Sequence, residues 1–213
     1  MKLDNTPRRK NSLLLGFALL LAGVLVWALF LWEPGNSATP QPHVPLALAS
    51  QPAGGDFTLA GSAGPVALAD FRGKVVVLYF GYSFCPDVCL TSLSLIAQGL
   101  SRLDAAALQN VQGIFISVDP ERDTPERLAS YVPFFHPRMI GASGTTEQIA
   151  AVARMYGSRY RKHPKAADGT YAVDHSSVTY ILAPDGKLSD MLQHGSPPES
   201  IAAAINKALL AGK

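Results

Sequence analysis

The stretch that most constrains the fold is an apolar strand that leads directly into two cysteines. Residues 75–80 are apolar at every position, so the strand they predict is buried on both faces, as in a sheet flanked by helices. Gly81 supplies a turn, and Cys85 and Cys89 follow where a helix is predicted to begin. Pro86 suits the first helical position, because its missing N–H costs nothing there. This pattern predicts Cys85 at the N-cap and Cys89 one turn further on.

The spacing of the two cysteines leaves two kinds of chemistry open. Residues four apart on a helix share a face, with Cβ atoms roughly 5–6 Å apart. Two thiolates at that distance can hold one soft metal ion. Their Cα atoms also fall within the range of about 4.4–6.8 Å that a disulfide spans. Cys85 and Cys89 are the only cysteines in the chain. A disulfide closing so small a loop removes little entropy from the unfolded state, so a reactive pair is favoured over an inert staple.

The segments around the central strand predict a mixed α/β fold. Thr124 and Pro125 form a good helix start, with a hydroxyl cap and a proline at the first position. Strands and helices in this order predict a mixed sheet with helices on both sides. The other predicted elements are strands at 57–59 and 66–68, the cysteine helix to residue 103, a strand at 113–118, a helix at 124–135, a short strand at 139–141, a helix at 146–156, strands at 173–183 and 188–194, and a helix at 198–210.

The N-terminal segment predicts a membrane anchor. Residues 13–32 are apolar without a charge, and as a helix they are long enough to cross a hydrocarbon core of about 30 Å. The basic residues 8–10 predict that residues 1–12 stay in the cytoplasm and that the folded domain is exported, which is typical of a single-pass inner (plasma) membrane protein with a periplasmic domain. A cleaved signal peptide is the alternative, but its apolar segment is usually shorter, about 7–15 residues.

The rest of the chain divides into a linker and one domain. Residues 33–55 are rich in Pro, Ala, Gln and Ser and predict an extended tether, so the folded domain is expected to comprise residues 56–213. Beyond residue 32 the chain holds 14 basic and 15 acidic residues, a net charge of −1. That balance argues against nucleic-acid binding, which requires a basic face. No glycine-rich phosphate loop follows a strand, so no nucleotide cofactor is indicated.

A metal site needs a third ligand, and the chain offers five histidines. His175 opens a strand that is expected to run beside the cysteine strand, with Asp174 before it and Ser176 after it as possible outer-sphere partners. From the residues alone its role stays open. The other four have simpler interpretations: His43 is a solvated linker residue, His136 caps carbonyls at a helix end, His163 lies in an exposed basic loop, and His194 ends the last hairpin.

Several motifs together resemble the SCO/SenC family of copper chaperones. They are the cysteine motif, the Ser-Val-Asp-Pro-Glu-Arg-Asp-Thr-Pro run at 117–125, and the segments 135–138, 141, 146–149 and 173–177. The match extends from about residue 56 to the C-terminus. The resemblance implies a thioredoxin-like fold and a copper site made by Cys85, Cys89 and His175. It also implies delivery to the binuclear copper centre of cytochrome c oxidase, whose copper-receiving subunit is the expected partner. Other copper chaperones or thiol reductants are further possible partners.

The acidic residues near these motifs have two interpretations each. Asp87 lies between the cysteines, where it can tune charge or dock a partner, or complete the first helical turn as an acid. The acidic group Asp119, Glu121 and Asp123 predicts a solvated loop with capping duties. A metal site made of these carboxylates is disfavoured, because hard oxygen ligands compete poorly for copper. Three softer ligands suit Cu(I), and a weaker axial ligand allows Cu(II) to be held as well.

Two other functions compete with the copper chaperone. A thiol–disulfide oxidoreductase would cycle Cys85 and Cys89 between dithiol and disulfide. Thioredoxins, however, have two residues between their cysteines, and a proline where this chain has His175 and its neighbours. A peroxidase of peroxiredoxin type needs one dominant cysteine with a nearby Arg and Thr, which an adjacent pair fits poorly. The sequence therefore favours a metallochaperone whose two cysteines are also redox-active, with no catalytic residue assigned.

Overall fold

The computed structural model describes residues 7–31 and 45–212, which belong to two separate units. In the first unit, helix α1 (Pro7–Val26) is followed by a π-helical turn, Trp27–Leu31. Within the described residues, none of the helices has the length and apolar character needed to cross a membrane. Residues 13–31 of the predicted anchor lie on α1 and the π-helical turn, and the membrane crossing stays a prediction. Residues 32–44, which include His43 and the first half of the predicted linker, lie outside the described residues.

The second unit alternates strands and helices as the sequence predicts. Its elements are β1 (Thr58–Gly61), β2 (Gly64–Ala67), β3 (Val75–Gly81), α2 (Val88–Ser101), α3 (Ala105–Gln109), β4 (Val111–Ser117), α4 (Pro125–Tyr131), β5 (Met139–Ala142), α5 (Thr146–Met155), β6 (Tyr160–Lys162), β7 (Val173–His175), β8 (Thr179–Leu182), β9 (Leu188–Leu192) and α6 (Pro198–Ala211). Short 3₁₀ turns follow β2 and α4. Thr124 caps α4 as predicted, and its side chain accepts a hydrogen bond from the Arg127 N–H.

A five-stranded mixed sheet forms the centre of this unit, in the order β5-β4-β3-β8-β9. Strands β3, β4 and β5 are parallel, and β8 is antiparallel to both β3 and β9. Every residue of β3 is buried, which confirms that this strand is covered on both faces. Two further antiparallel ribbons, β1–β2 and β6–β7, pair outside the central sheet.

The two faces of β3 pack against different side chains, because successive side chains of a strand point to opposite faces. On one face the Phe80 ring packs against Tyr156 and Tyr180, with ring centroids 5.9 and 5.8 Å away. On the other face Tyr79 stacks with Phe115 of β4. Helix α2 begins over this second face, because a Cβ on Gly81, which shares the face of Tyr79, would lie 2.8 Å from the Cys89 sulfur.

The predicted strand at 173–183 is wrong as a single element. The chain forms β7 and β8 separately, because β7 pairs with β6 whereas β8 pairs with β3 and β9. Between them the Ser176 N–H donates to the Arg159 carbonyl at 2.8 Å, which keeps the chain beside β6. Strand β6 and the short helix α3 were not predicted.

The second half of the predicted linker differs from an extended tether. The Leu46 N–H donates to the His175 carbonyl at 3.1 Å, and the Ala49 N–H donates to the Gly157 carbonyl at 2.8 Å. The Tyr156 hydroxyl donates to the Gly55 carbonyl at 2.9 Å. Residues 45–55 therefore lie against the folded unit, because its loops offer carbonyls and hydroxyls that satisfy their backbone.

Candidate metal centre

The cysteine loop, residues 82–87, joins β3 to α2. The helix begins at Val88 with Asp87 as N-cap, so the prediction that Cys85 is the N-cap is wrong. The reason is a turn in which the Cys85 N–H donates to the Tyr82 carbonyl at 3.2 Å, which keeps Cys85 and the following proline out of the helix. Cys89 lies in the first turn of α2, and its N–H points at the Cys85 sulfur at 3.5 Å. The Cys85 sulfur thereby satisfies a helix N–H although it precedes the N-cap.

Asp87 does not act as an acid in the first helical turn. It is the exposed N-cap residue, its side chain makes no capping hydrogen bond, and the first turn of α2 contains no acid. This outcome removes the simpler of its two predicted roles. A role in tuning charge or contacting a partner stays a prediction.

His175 ends β7 and faces the cysteine pair. Its Nε2 lies 3.1 Å from the Cys89 Sγ, and its Nδ1 lies 3.1 Å from the Ser176 carbonyl oxygen. A carbonyl only accepts hydrogen bonds, so Nδ1 carries a hydrogen, and Nε2 is the nitrogen that faces the sulfur. This is the ring orientation of a histidine that ligates a metal through Nε2 while its other nitrogen is held by the backbone.

The three predicted ligands therefore lie together. The sulfur atoms of Cys85 and Cys89 and a ring nitrogen of His175 are all within 4.8 Å of one another. Cys85 is 2% exposed and the other two are fully buried. Neither cysteine is part of a disulfide. Among residues 7–31 and 45–212, this is the one group of His, Cys, Asp or Glu side chains that could hold a metal ion.

The two sulfurs differ sharply in acidity. The pKa of Cys85 is lowered, first by a hydrogen bond with Cys89 and then, against the opposing effect of burial, by a hydrogen bond with His175. The pKa of Cys89 is raised, first by burial and then by its interaction with the Cys85 sulfur. The pair therefore loses its first proton easily and its second reluctantly, as expected for two ionisable groups that share one site. Cys85 is the thiolate, and Cys89 keeps the proton.

Aromatic rings and a glycine shape the walls of the site. The rings of Tyr79 and Tyr82 meet the His175 ring edge-on, with centroids 6.2 and 5.9 Å away. The Tyr82 hydroxyl accepts the Val173 N–H at 3.3 Å, which ties the cysteine loop to β7. A glycine at position 81 allows the Cys89 sulfur to lie close to the β3 backbone, since a Cβ there would lie 2.8 Å from that sulfur.

The acidic group after β4 is only partly the solvated loop that the sequence predicts. Glu121 is exposed, but Asp119 is 3% exposed and Asp123 is fully buried. Buried carboxylates need hydrogen-bond partners, and Asp123 accepts from Ser83 in the cysteine loop. The sequence signal that marks them is Arg122, a cation placed between the two acids.

The predicted outer-sphere residue Asp174 lies on β7 beside the basic hairpin. Its carboxylate accepts a hydrogen bond from Arg161 Nη2 at 2.7 Å and lies 2.8 Å from His163 Nε2. These contacts fix Asp174 in the ribbon that carries His175. Its effect on the metal ligand itself stays a prediction.

The other described histidines lie outside the group. His136 is 8% exposed, and its Nδ1 accepts the Arg138 N–H at 3.1 Å, so it accepts a backbone hydrogen bond where the sequence predicts that it caps carbonyls. Burial, and then the charge of Arg138, lowers the pKa of His136. His163 pairs with Asp174 on β7. His194 is exposed, and its Nδ1 lies 2.9 Å from the Ser92 hydroxyl.

Comparison with known proteins identifies the family. The family model described as SCO1/SenC matches residues 47–210. This chain belongs to the SCO1/SenC family. The SCO2 homolog of Bos taurus, a mitochondrial protein, is 44% identical over 159 residues, which are 74% of this chain and 60% of that protein. The match thus spans about two fifths to three fifths of the length of the curated relatives.

Solved SCO1/SenC structures share this fold. ScoI of Arabidopsis thaliana with copper bound is 35% identical, covers 75% of this chain and 99% of its own, and has a TM-score of 0.69. ScoI of Bradyrhizobium japonicum with copper bound is 37% identical, covers 74% of this chain and 99% of its own, and has a TM-score of 0.67. These likenesses confirm the predicted family and the predicted mixed sheet flanked by helices.

Proposed function

We propose that this SCO1/SenC protein binds one copper ion through Cys85, Cys89 and His175 and passes it to the copper-receiving subunit of cytochrome c oxidase. The observation that carries the proposal is the meeting of three ligand atoms within 4.8 Å of one another in a buried site. Two thiolates and an imidazole are the ligands that Cu(I) prefers, and carboxylates are absent from the group. Relatives of the same fold whose structures contain copper support the choice of metal.

Copper uptake follows from the acidity of the sulfurs. Cys85 has the lowered pKa, so it is the thiolate that receives the ion first. Cys89 has the raised pKa and gives up its proton when it joins the metal, since a thiolate and not a thiol ligates. The Nε2 of His175 already faces the Cys89 sulfur and completes the set with little reorganisation.

Copper release requires the site to open. Cys85 is only 2% exposed, so ligands from the receiving protein reach the ion only after the cysteine loop or the β6–β7 ribbon is displaced. Transfer then proceeds by ligand exchange, in which incoming thiolates or imidazoles replace the three ligands in turn. Phe84 and Leu90, on either side of the cysteine motif, are exposed and accessible to such a partner.

We also propose that residues 13–32 anchor the chain in the inner (plasma) membrane, with residues 1–12 in the cytoplasm and the copper site on the exported side. The uncharged apolar run and the basic residues before it support this topology. Removing residues 1–32 is expected to release the protein from membranes that retain the full chain after alkaline extraction. Release of the full chain by that treatment would contradict an anchor.

A second function is supported by the same pair of thiols. Cys85 as thiolate can attack a partner's disulfide, forming a mixed disulfide and releasing one partner thiolate. Cys89 then attacks the Cys85 sulfur, releases the second partner thiol and leaves a Cys85–Cys89 disulfide. The low pKa of Cys85 favours this reductase chemistry. The disulfide form has no thiolates to offer, so it cannot hold copper. Repeated turnover of a disulfide substrate by the metal-free protein would favour the reductase.

The decisive test is the affinity for Cu(I), measured against a chromophoric Cu(I) chelator under reducing, oxygen-free conditions. His175→Ala removes one ligand and is expected to raise the dissociation constant more than about 100-fold, beyond the 10–100-fold cost of losing an outer-sphere partner. His194→Ala is the matched control, because His194 is exposed and outside the group. Equal affinities of His175→Ala and the unmodified protein would overturn the proposed site.

A further inference from the structure

The two halves of the metal centre come from separate segments, and a third segment joins them. The cysteine loop supplies the sulfurs, and the histidine ribbon, β6–β7 with its connection (residues 160–175), supplies the imidazole. Between them lies the turn after β4. Three of its residues contact these segments: Asp123 contacts the cysteine loop, Asp119 contacts the histidine ribbon, and Arg122 contacts both. We call these three residues the clamp.

Asp123 holds the cysteine loop. It is fully buried, and it accepts hydrogen bonds from the Ser83 N–H at 2.8 Å and the Ser83 hydroxyl at 2.5 Å. The Ser117 hydroxyl at the end of β4 donates to the same carboxylate at 2.7 Å. Ser83 also accepts a hydrogen bond from Arg127 Nε at 2.7 Å. The loop two residues before Cys85 is therefore fastened to the turn through a buried, fully hydrogen-bonded carboxylate.

Asp119 holds the histidine ribbon. It is 3% exposed and accepts the Tyr171 hydroxyl at 2.8 Å. Tyr171 lies in the ribbon four residues before His175. Its ring lies under the Arg122 guanidinium, 3.6 Å from the centroid, and its carbonyl accepts from Arg122 Nη1 at 2.9 Å. One tyrosine thus meets the clamp through its hydroxyl, its ring and its backbone.

Arg122 joins the two arms. Its guanidinium is paired with the Asp119 carboxylate and lies over two rings of the cysteine loop, 5.4 Å from the Tyr82 centroid and 4.7 Å from the Phe84 centroid. The same cation therefore touches the segment before Cys85 and, through Tyr171, the segment before His175. A cation between aromatic faces is held more strongly when it is partly removed from water, and this side chain is 19% exposed.

We propose that Asp119, Arg122 and Asp123 are positioning residues that set the distance between the cysteine pair and His175, and hence the affinity for copper and its release. None of the three belongs to the ligand group, so their effect acts through the segments that they hold. A partner that breaks contacts on one arm would loosen the other arm through Arg122. This proposal rests on the proposed copper binding and adds the contacts that control the affinity for copper.

The test uses one variant on each arm, outside the clamp. Ser83→Ala removes a hydroxyl that donates to Asp123, and Tyr171→Phe removes the hydroxyl that donates to Asp119 but keeps the ring over Arg122. The matched controls lose the same groups elsewhere in the unit. Ser101→Ala loses a hydroxyl that donates to the Ala97 carbonyl at 2.9 Å, and Tyr156→Phe loses one that donates to the Gly55 carbonyl at 2.9 Å.

Each arm variant is expected to raise the Cu(I) dissociation constant about 10-fold, the lower end of the cost of losing an outer-sphere partner, and to shift the sulfur-to-copper band of the Cu(II) complex. In the double variant the dissociation constant is expected to rise by much less than the product of the two single increases, because the second change acts on a clamp that is already broken. The controls are expected to leave affinity and band unchanged. Multiplicative effects, or equal effects in the controls, would overturn the coupling.

A metal-free measurement separates this proposal from the proposed function. The alkylation rate of Cys85 in the apo protein is expected to rise in Tyr171→Phe, although Tyr171 lies in the other segment, and to stay unchanged in Tyr156→Phe. An unchanged alkylation rate in Tyr171→Phe would show that the clamp does not couple the two segments, even if the protein binds copper. If the unmodified protein bound no Cu(I), or if His175→Ala bound it equally well, the proposed function would fail while this rate still decided whether the clamp couples the two segments.

Discussion

Two antiparallel ribbons flank the central sheet, and they are held by different forces. The ribbon β1–β2 buries Leu59 and Val66, which are 2% and 8% exposed, and it joins the rest of the unit through a backbone bridge between Ala60 and Ser143. The histidine ribbon is held by hydrogen bonds, ion pairs and ring contacts to the turn after β4. The first ribbon is therefore fixed mainly by packing, whereas the histidine ribbon, which also buries Val173, is fixed in addition by polar contacts.

This difference indicates which of the two ribbons can be displaced more easily. Apolar packing resists partial displacement, because each lost contact leaves a void. Polar contacts can be exchanged for those of water or of a partner at small net cost. The proposed metal ligand His175 lies in the ribbon that has these exchangeable contacts, so of the two ribbons it is the one whose attachments a partner can replace during the proposed copper transfer.

The largest expected effect concerns the packed ribbon. Leu59→Ala is expected to lower the free energy of unfolding by about 2–5 kcal/mol, the usual cost of truncating a buried leucine. Affinity for Cu(I) is expected to stay unchanged under conditions in which the variant is folded, because Leu59 is not part of the ligand group. Denaturant unfolding and chelator competition measure the two quantities. A loss of affinity as large as that of Tyr171→Phe would show that the ribbons are not independent.

A pair of glycine variants sharpens the comparison. At Gly81 a Cβ would lie 2.8 Å from the Cys89 sulfur and 2.9 Å from Phe115, and at Gly61 it would lie 2.6 Å from Val66 and 2.9 Å from a backbone oxygen. Both alanine variants are expected to lose about 1–3 kcal/mol of stability through overpacking. Only Gly81→Ala is expected to weaken copper binding as well, since the crowded atom is the sulfur of the proposed ligand Cys89. Equal affinities of the two variants would contradict this assignment.

The pH dependence of copper binding is a further difference between the two regions. Residues 58–67 of the ribbon β1–β2 contain no titratable side chain, whereas the candidate site contains two cysteines. The pKa of Cys85 is lowered and that of Cys89 is raised, so between the two values Cu(I) displaces one proton, from Cys89. The dissociation constant is therefore expected to rise about tenfold for each pH unit of acidification, and this slope persists above about pH 8.5, the usual value for a free cysteine. A slope that vanished above that pH, or a two-proton slope at neutral pH, would contradict the assignment of thiolate and thiol.

The central fold was predictable because its signals are local. The all-apolar run of β3 and the Thr124-Pro125 start of α4 follow from patterns of a few residues, and both are confirmed. The predicted start of α2 was wrong because a tertiary contact overrides the preference of Pro86 for the first helical position. Ser83 is drawn to Asp123, forty positions away, and the loop that results delays the helix past Pro86.

The candidate ligands were predictable, but the buried acids that hold the segments around them were not. The spacing of Cys85 and Cys89 and the resemblance to a known family indicated the site, whereas Asp119 and Asp123 looked like ordinary acids in a solvated turn. Their burial depends on Tyr171 and Ser83, which come from segments that only the folded chain brings together. A single sequence records the charge of an acid and not the depth at which it lies.

The smallest expected effect concerns the exposed end of the histidine ribbon. Glu121 and Lys162 form an ion pair at 2.5 Å, with side chains 59% and 34% exposed, and this pair lowers the pKa of Glu121. Exposed pairs contribute little, so Glu121→Gln is expected to leave the unfolding midpoint unchanged and to affect copper affinity less than Tyr171→Phe. Any remaining effect is expected to disappear at about 1 M salt, where the screening length is about 3 Å. If Glu121→Gln weakened copper binding as much as Tyr171→Phe, the ribbon would be held by surface charge, and the buried contacts of the clamp would not be what positions His175.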